Sequence, residues 1–203
     1  MKNLSYIIYV LLFSSLIVLS NCNNQQAENK ISQADTTQTR FAGYESREKY
    51  GEHLVLITGC HDCHTPKKMT PQGPVEDFSL ALSGHPAQMT APDINRKEME
   101  SKGVVATQTL TAWVGPWGVS FAGNLTSDAT GIGNWEESNF ITALRKGKFK
   151  GIETGRDLLP PMPWQMYRNM TDDELKAVFA YLKSTKPIKN IVPPPLPPVT
   201  VRP

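Results

Sequence analysis

The stretch Cys60-His61-Asp62-Cys63-His64 sets two thiols three residues apart, with an imidazole directly after the second. Three chemistries use such a pair. In c-type haem attachment both sulfurs add to the vinyl groups of a porphyrin, and the histidine that follows becomes an axial ligand of the iron. Structural zinc sites join two such cysteines to two further ligands, and thioredoxin-like pairs cycle between dithiol and disulfide. Residues three apart share a helix face, so Cys60 and Cys63 can reach one edge of a macrocycle while His64 turns beneath it. A zinc site would draw on Cys60, Cys63, His64 and one of His53, His61 or His85, and no second CxxC or HxxxH closes it. A dithiol pair calls for a βαβ surround, whereas the flanking patterns here are helical. Haem attachment uses every residue of the motif.

An electron-carrying haem needs a second axial ligand, and methionine is the usual one because its thioether raises the reduction potential. The segment LLPPMPW offers Met162, with prolines on both sides to stiffen the backbone. Met166 and Met170 are close enough in sequence to compete, and packing in the core is the plain alternative for Met162 itself. With both axial positions filled the iron carries electrons. With a labile distal methionine the protein would instead be a haem-based sensor or small-ligand binder.

The elements that must position these groups can be read from periodicity. Tyr50, Leu54 and Ile57 recur at helical spacing and predict a helix running into Cys60. Gly51 inside it costs about 1 kcal/mol relative to alanine, unless another helix crosses there. From Thr65 to Gly123 the chain is rich in Pro, Gly, Ser and Thr, which predicts a long irregular insertion with one short helix near Asp93 to Lys102 and no clearly alternating strand. In NWEESNFITALRKG, Asn134 is expected to cap a helix with Glu137 three residues on. Phe140, Ile141 and Leu144 form its apolar stripe, and Gly147 stops it. A last helix is predicted from the Thr171–Glu174 capping box. Leu175, Val178, Phe179 and Leu182 form its buried face, and Lys183 and Lys186 lie at the end that favours cations. The proline-rich stretch beyond Pro187 reads as an extended strap or tail.

The 203 residues suit one core with appendages, and 21 basic against 19 acidic residues form no basic stripe, so nucleic acid is not an expected partner. Lys2 precedes an apolar run from Tyr6 to Ser20, short against the roughly 20 residues of a spanning helix, and it reads as an export signal. Leu19 to Cys22, LSNC, resembles the lipobox of bacterial lipoproteins, although Asn21 stands where alanine or glycine is commoner. The resemblance implies that Cys22 is lipidated and begins the mature chain. The expected organisation is a signal peptide at 1–21, a polar tether at 22–43, a haem domain at 44–187 with its insertion at 66–122, and a proline-rich tail at 188–203. Export agrees with haem attachment, which in bacteria takes place outside the cytoplasm. Lipidation leaves only Cys60 and Cys63 of the three cysteines, too few for a disulfide framework.

CHDCH after an aromatic-bearing helix, then NLTSDATGIGNW, PPMPW and MTDDELKAVFAYLKS, together resemble the class I, single-haem c-type cytochromes related to cytochrome subunits of membrane-bound alcohol and sugar dehydrogenases. The resemblance spans Tyr44 to about Lys186 apart from the insertion. It implies an all-α, cytochrome c-like helical domain around one covalent haem c. Cys60 and Cys63 would be the attachment points, His64 the proximal ligand and Met162 the distal ligand. Asn124, Leu125, Thr126, Gly131, Ile132 and Trp135 would run beside the macrocycle, the alternative being a turn, a cap and ordinary core. The C-terminal helix would cross the N-terminal one near Gly51 and Phe179. The implied role is a periplasmic, membrane-tethered electron carrier, not an enzyme, with an oxidase, a quinol-oxidising complex or a dehydrogenase as partner. His85 is expected in the core or at the surface, with contact to a haem propionate as the alternative. A single CxxCH argues against a two-haem peroxidase.

If Cys22 is acylated, the mature protein starts there and partitions into detergent, and Cys22→Ser leaves an uncleaved precursor. N-terminal sequencing that finds a water-soluble product beginning beyond Cys22 would contradict the lipid anchor.

Overall fold

Two helices that cross at a glycine set the frame. In the computed structural model, which describes residues 41–199, helix α1 spans Arg47–Ile57. It is started by Ser46, whose Oγ accepts from Lys49 N at 3.2 Å, the N-cap bond that satisfies an otherwise orphaned donor. Helix α6, Asp172–Ser184, opens on the Thr171–Glu174 capping box expected from the sequence. A Cβ added to Gly51 would lie 1.9 Å from the carbonyl oxygen of Ala177, so the two backbones touch where only hydrogen fits. This is the crossing that the resemblance implied. Around it Leu54, Val55, Leu175, Ala177, Val178, Phe179 and Leu182 are buried together, and the Phe140 and Phe179 rings meet at 5.4 Å.

Between them the chain runs through helix α2 (Cys60–His64), strands β1 (Lys67–Thr70) and β2 (Gly73–Glu76), and helix α3 (Arg96–Lys102). Strands β3 (Ala106–Thr107), β4 (Ala112–Gly115) and β5 (Gly118–Phe121) follow, then helices α4 (Glu137–Lys146) and α5 (Trp164–Tyr167). The described residues are predominantly helical, in line with a cytochrome c-like domain carrying an insertion. None of their helices is long and apolar enough to cross a membrane. The signal at 1–21, Cys22 and nearly all of the tether lie outside the described residues. The described chain divides into a lead ending at Glu45 and a body from Ser46 onward. In the lead, Tyr44 N donates to Phe41 O at 2.9 Å to close a turn.

Three expectations need correction. The first helix does not run into Cys60: it ends at Ile57, and Gly59, at φ +69°, turns the chain through a left-handed conformation before α2 begins. Its buried face is Gly51, Leu54 and Val55, while Ile57 is 62 % exposed. Helix α4 is capped by Glu136 rather than Asn134, and Asn139 Oδ1 closes the box by accepting from Glu136 N at 3.0 Å. The insertion holds two small antiparallel sheets, β1-β2 and β3-β4-β5. Alternation could not announce β4, because all four of its residues are buried, and β1 and β2 are four residues each.

Within the insertion His85 is core. One ring nitrogen meets Thr111 Oγ1 at 2.9 Å, the other meets Met89 O at 2.9 Å, and the ring packs against Phe121 at 4.8 Å. The proline-rich end lies as a strap along the insertion. Leu196 exchanges both backbone bonds with Val119, at 2.9 and 3.0 Å. Asn190 Nδ2 donates to the carbonyls of Ser83 and His85, and Val199 N donates to the buried carboxylate of Glu100 at 2.7 Å.

The crossing predicts that Gly51→Ala is costly. The methyl must push α1 off the Ala177 carbonyl, and overpacking of this kind costs about 1–3 kcal/mol or more, read as a lowered midpoint in denaturant unfolding. A variant as stable as the parent would show that the helices separate without strain.

Candidate functional site

Helix α2 is one short turn, and its side chains do what its sequence spacing requires. Cys60 is half-buried and packs against the core cluster, and Cys63 is half-buried one turn further on. Burial pushes both thiols up from their ordinary value, with the neighbouring Asp62 carboxylate adding to it. Thiols held protonated are unlike the thiolates of a redox-active dithiol pair, whose pKa is lowered. Of the further zinc ligands that the sequence offers, His61 holds Thr65 Oγ1 through Nδ1 at 2.8 Å, and both nitrogens of His85 are taken. Among the described residues no group of three or more His, Cys, Asp or Glu could hold a metal ion.

His64 decides the chemistry of the motif. Its Nδ1 lies 2.7 Å from the carbonyl oxygen of Gly123. A carbonyl only accepts, so Nδ1 carries the proton and Nε2 presents a lone pair, the tautomer of an axial ligand. Burial lowers the imidazole pKa and keeps the ring neutral, as iron ligation requires. Two protonated thiols on one helix face and a neutral imidazole with its second nitrogen anchored fit haem c. Cys60, Cys63 and His64 form a CxxCH haem c attachment motif.

Two residues that the sequence reading missed hold this helix in place. The ammonium of Lys67 donates to the carbonyls of His61, Asp62 and Thr65, the latter two at 2.8 and 2.6 Å, and so caps the C-terminal end of α2. A cation just past a helix end was a signal available in the sequence. The hydroxyl of Tyr167 donates to Thr58 O at 2.8 Å, tying α5 to the turn before Cys60. No sequence pattern announces a bond across so long a separation.

Met162 is partly buried and borders the same core cluster as Cys60, as does Met170, while Met166 is 70 % exposed. A cavity of about 310 Å³ opens beside Met162, lined by Leu158, the surrounding prolines, Trp164 and Gln165. Asn124 and Thr126 are buried and bonded to each other and to the strap: Thr126 Oγ1 donates to Asn124 Oδ1 at 2.8 Å, Asn124 Nδ2 donates to Ile188 O at 2.8 Å, and Ile188 N donates to Thr126 Oγ1 at 3.2 Å. Leu125 and Trp135 flank the core cluster, Ile132 is fully buried within it, and Gly131 sits in the turn closed by Ile132 N donating to Thr126 O.

No family model matches the chain. The cytochrome c subunit of alcohol dehydrogenase (quinone) from Gluconobacter oxydans is 33 % identical over 146 residues, 71 % of this chain and 23 % of that protein. A nicotinate dehydrogenase subunit from Pseudomonas putida is 37 % identical over 79 residues, 38 % of this chain and 6 % of that one. The fructose dehydrogenase cytochrome subunit of Gluconobacter japonicus is 36 % identical over 75 residues, 36 % of this chain and 15 % of that one. The chain is homologous to cytochrome c subunits of bacterial dehydrogenases. Its matches span less than a quarter of the length of each of these three relatives.

Tyr167 gives the site a pH signature. Its pKa is pushed up from 10.0 to about 12, first by burial and then by the charges of Cys60, Cys63 and Asp62, of which burial and Asp62 persist once the sulfurs are thioethers. A folded-state pKa above the unfolded one contributes stability that is present below the ordinary value of 10.0 and lost as pH rises through the raised value. Tyr167→Phe should therefore cost about 1 kcal/mol at neutral pH and flatten the alkaline loss of stability in that window. Equal alkaline unfolding curves for parent and variant would remove Tyr167 from the fastening of the site.

Proposed function

We propose that this cytochrome is a lipid-anchored, one-haem electron carrier on the periplasmic face of a bacterial envelope. Cys60 and Cys63 are the points of covalent attachment, His64 is the proximal ligand and Met162 the distal one. Haem iron supplies reversible one-electron exchange, and the protein contributes ligands, burial and orientation. The observation that carries the reading is the His64–Gly123 bond, which fixes the imidazole tautomer needed for ligation. Met162 is supported as its counterpart by its position beside the core that Cys60 also touches, and by the proline-stiffened backbone around it.

Of the other expected haem neighbours, Leu125, Ile132 and Trp135 offer apolar surface, while Asn124, Thr126 and Gly131 shape the loop that presents them. A dehydrogenase or a quinol-oxidising complex is proposed as the electron donor and an oxidase as the acceptor. The relatives named for alcohol, fructose and nicotinate dehydrogenases support the first of these classes. The near balance of basic and acidic residues supports a protein rather than a nucleic acid as partner.

The purified protein should keep its colour through acid-acetone extraction and, when oxidised, show the weak far-red band of thioether-ligated haem. Met162→Ala should abolish that band, lower the reduction potential and admit carbon monoxide to the reduced protein, whereas Met166→Ala and Met170→Ala should do none of these. Rapid carbon monoxide binding by the unmutated reduced protein at neutral pH would overturn the carrier in favour of a ligand sensor.

A further inference from the structure

The insertion that separates the two halves of the site has no assigned part in it, yet one of its strands reaches both sides. The chain leaves β5 at Phe121 and two residues later presents Gly123 O to Nδ1 of His64. Within β5, the buried Ser120 hydroxyl donates to the carbonyl of Pro160 at 2.6 Å, two residues before Met162. The same hydroxyl accepts from Trp117 Nε1 at 3.1 Å, which leaves its proton aimed at Pro160. Neighbouring bonds hold the strand itself. Trp113 on β4 pairs with Ser120, Leu196 of the strap pairs with Val119, and Ala122 N donates to Thr111 O at 2.9 Å.

From this arrangement we infer that β5 braces the two axial positions against each other, with Ser120 as the positioning residue for the Met162 loop. The inference rests on Met162 as distal ligand. Residues Leu159 to Trp164 are held locally by turn bonds, Met162 N to Leu159 O at 3.3 Å and Trp164 N to Met162 O at 3.0 Å, while Pro163 O and Trp164 O accept from Met166 N and Arg168 N on the C-terminal side, each at 2.9 Å. On the N-terminal side of Met162, by contrast, the loop has no helix to hold it. The Ser120 bond attaches it to a strand that also carries the proximal contact, so displacement of the distal loop must strain the element that holds His64. The Tyr167–Thr58 bond ties the chain after Met162 to the attachment motif, and the long insertion supplies the matching tie before it, through Ser120 and Pro160.

The test uses the holoprotein. Ser120→Ala removes the donor to Pro160, and Ser120→Thr keeps a hydroxyl in its place. In Ser120→Ala the distal ligand should detach more readily. Carbon monoxide binding to the reduced form should accelerate roughly fivefold, the factor that corresponds to about 1 kcal/mol for one hydrogen bond. The far-red band should also be lost at a lower pH than in the parent, and Ser120→Thr should restore both properties. A merely structural role would lower the unfolding midpoint and leave band and carbon monoxide rate as in the parent, and that result overturns the brace. Met162→Ala is measured alongside. If it abolishes the band while Ser120→Ala changes nothing, the brace alone falls; if the band survives Met162→Ala, the ligand assignment falls and the brace with it. Should Ser120→Ala give no folded holoprotein, Trp117→Phe decides by the same readouts, since it keeps the hydroxyl but removes the donor that orients it.

Discussion

Everything that positions the haem motif depends on how closely α1 and α6 approach. The Gly51 backbone rests on the Ala177 carbonyl, nearer than any side chain would permit, and this contact fixes how α1 lies against α6. Because α1 stops at Ile57, the Gly59 turn and then α2 follow at a set place and angle. The apolar residues around the crossing do the energetic work, since burying a side chain of the Leu or Val type contributes about 1.5–3 kcal/mol. The glycine contributes geometry and no burial of its own, so the frame is specified by an absence of side chain at the one point where two backbones meet.

The site built on that frame is held mainly through main-chain oxygens. Gly123 O orients His64, Thr58 O receives Tyr167, Pro160 O receives Ser120, and three carbonyls at the end of α2 receive Lys67. Carbonyl acceptors do not titrate and do not change rotamer, so an arrangement referenced to them is insensitive to the charge that iron gains or loses. The ammonium of Lys67 is the exception in charge; it is buried, and the partly exposed Glu76 carboxylate lies 3.8 Å from it.

What the sequence disclosed divides along the same line. The CxxCH motif, the capping box at Thr171 and the apolar stripes of α4 and α6 are local patterns, and they were legible because side-chain type and short spacing encode them. Where α1 ends was not, since Leu56 and Ile57 continue an apolar run and the left-handed Gly59 stands only two residues beyond it. The sheets of the insertion were hidden because β4 is buried on both faces and lacks alternation. Asn124 and Thr126 stood out as polar residues in a recognisable stretch, but their bonds to the strap depend on residues some sixty positions away, which no local pattern contains. Gly123 and Pro160 act through the backbone, where residue identity carries almost no signal.

The strap also has a consequence for how the protein meets other extended chains. Strand β5 ends its sheet, ordered β3-β4-β5, and its outer edge would offer unpaired N–H and C=O groups to any extended chain that met it. Leu196 occupies those groups at Val119. On either side of Leu196 the covering segment is proline, Pro193 to Pro195 and then Pro197 and Pro198, and proline has no N–H to donate onward. The open edge is closed by a segment that cannot itself serve as a template, so strand addition stops at the strap and two copies of the chain cannot zip together along this side.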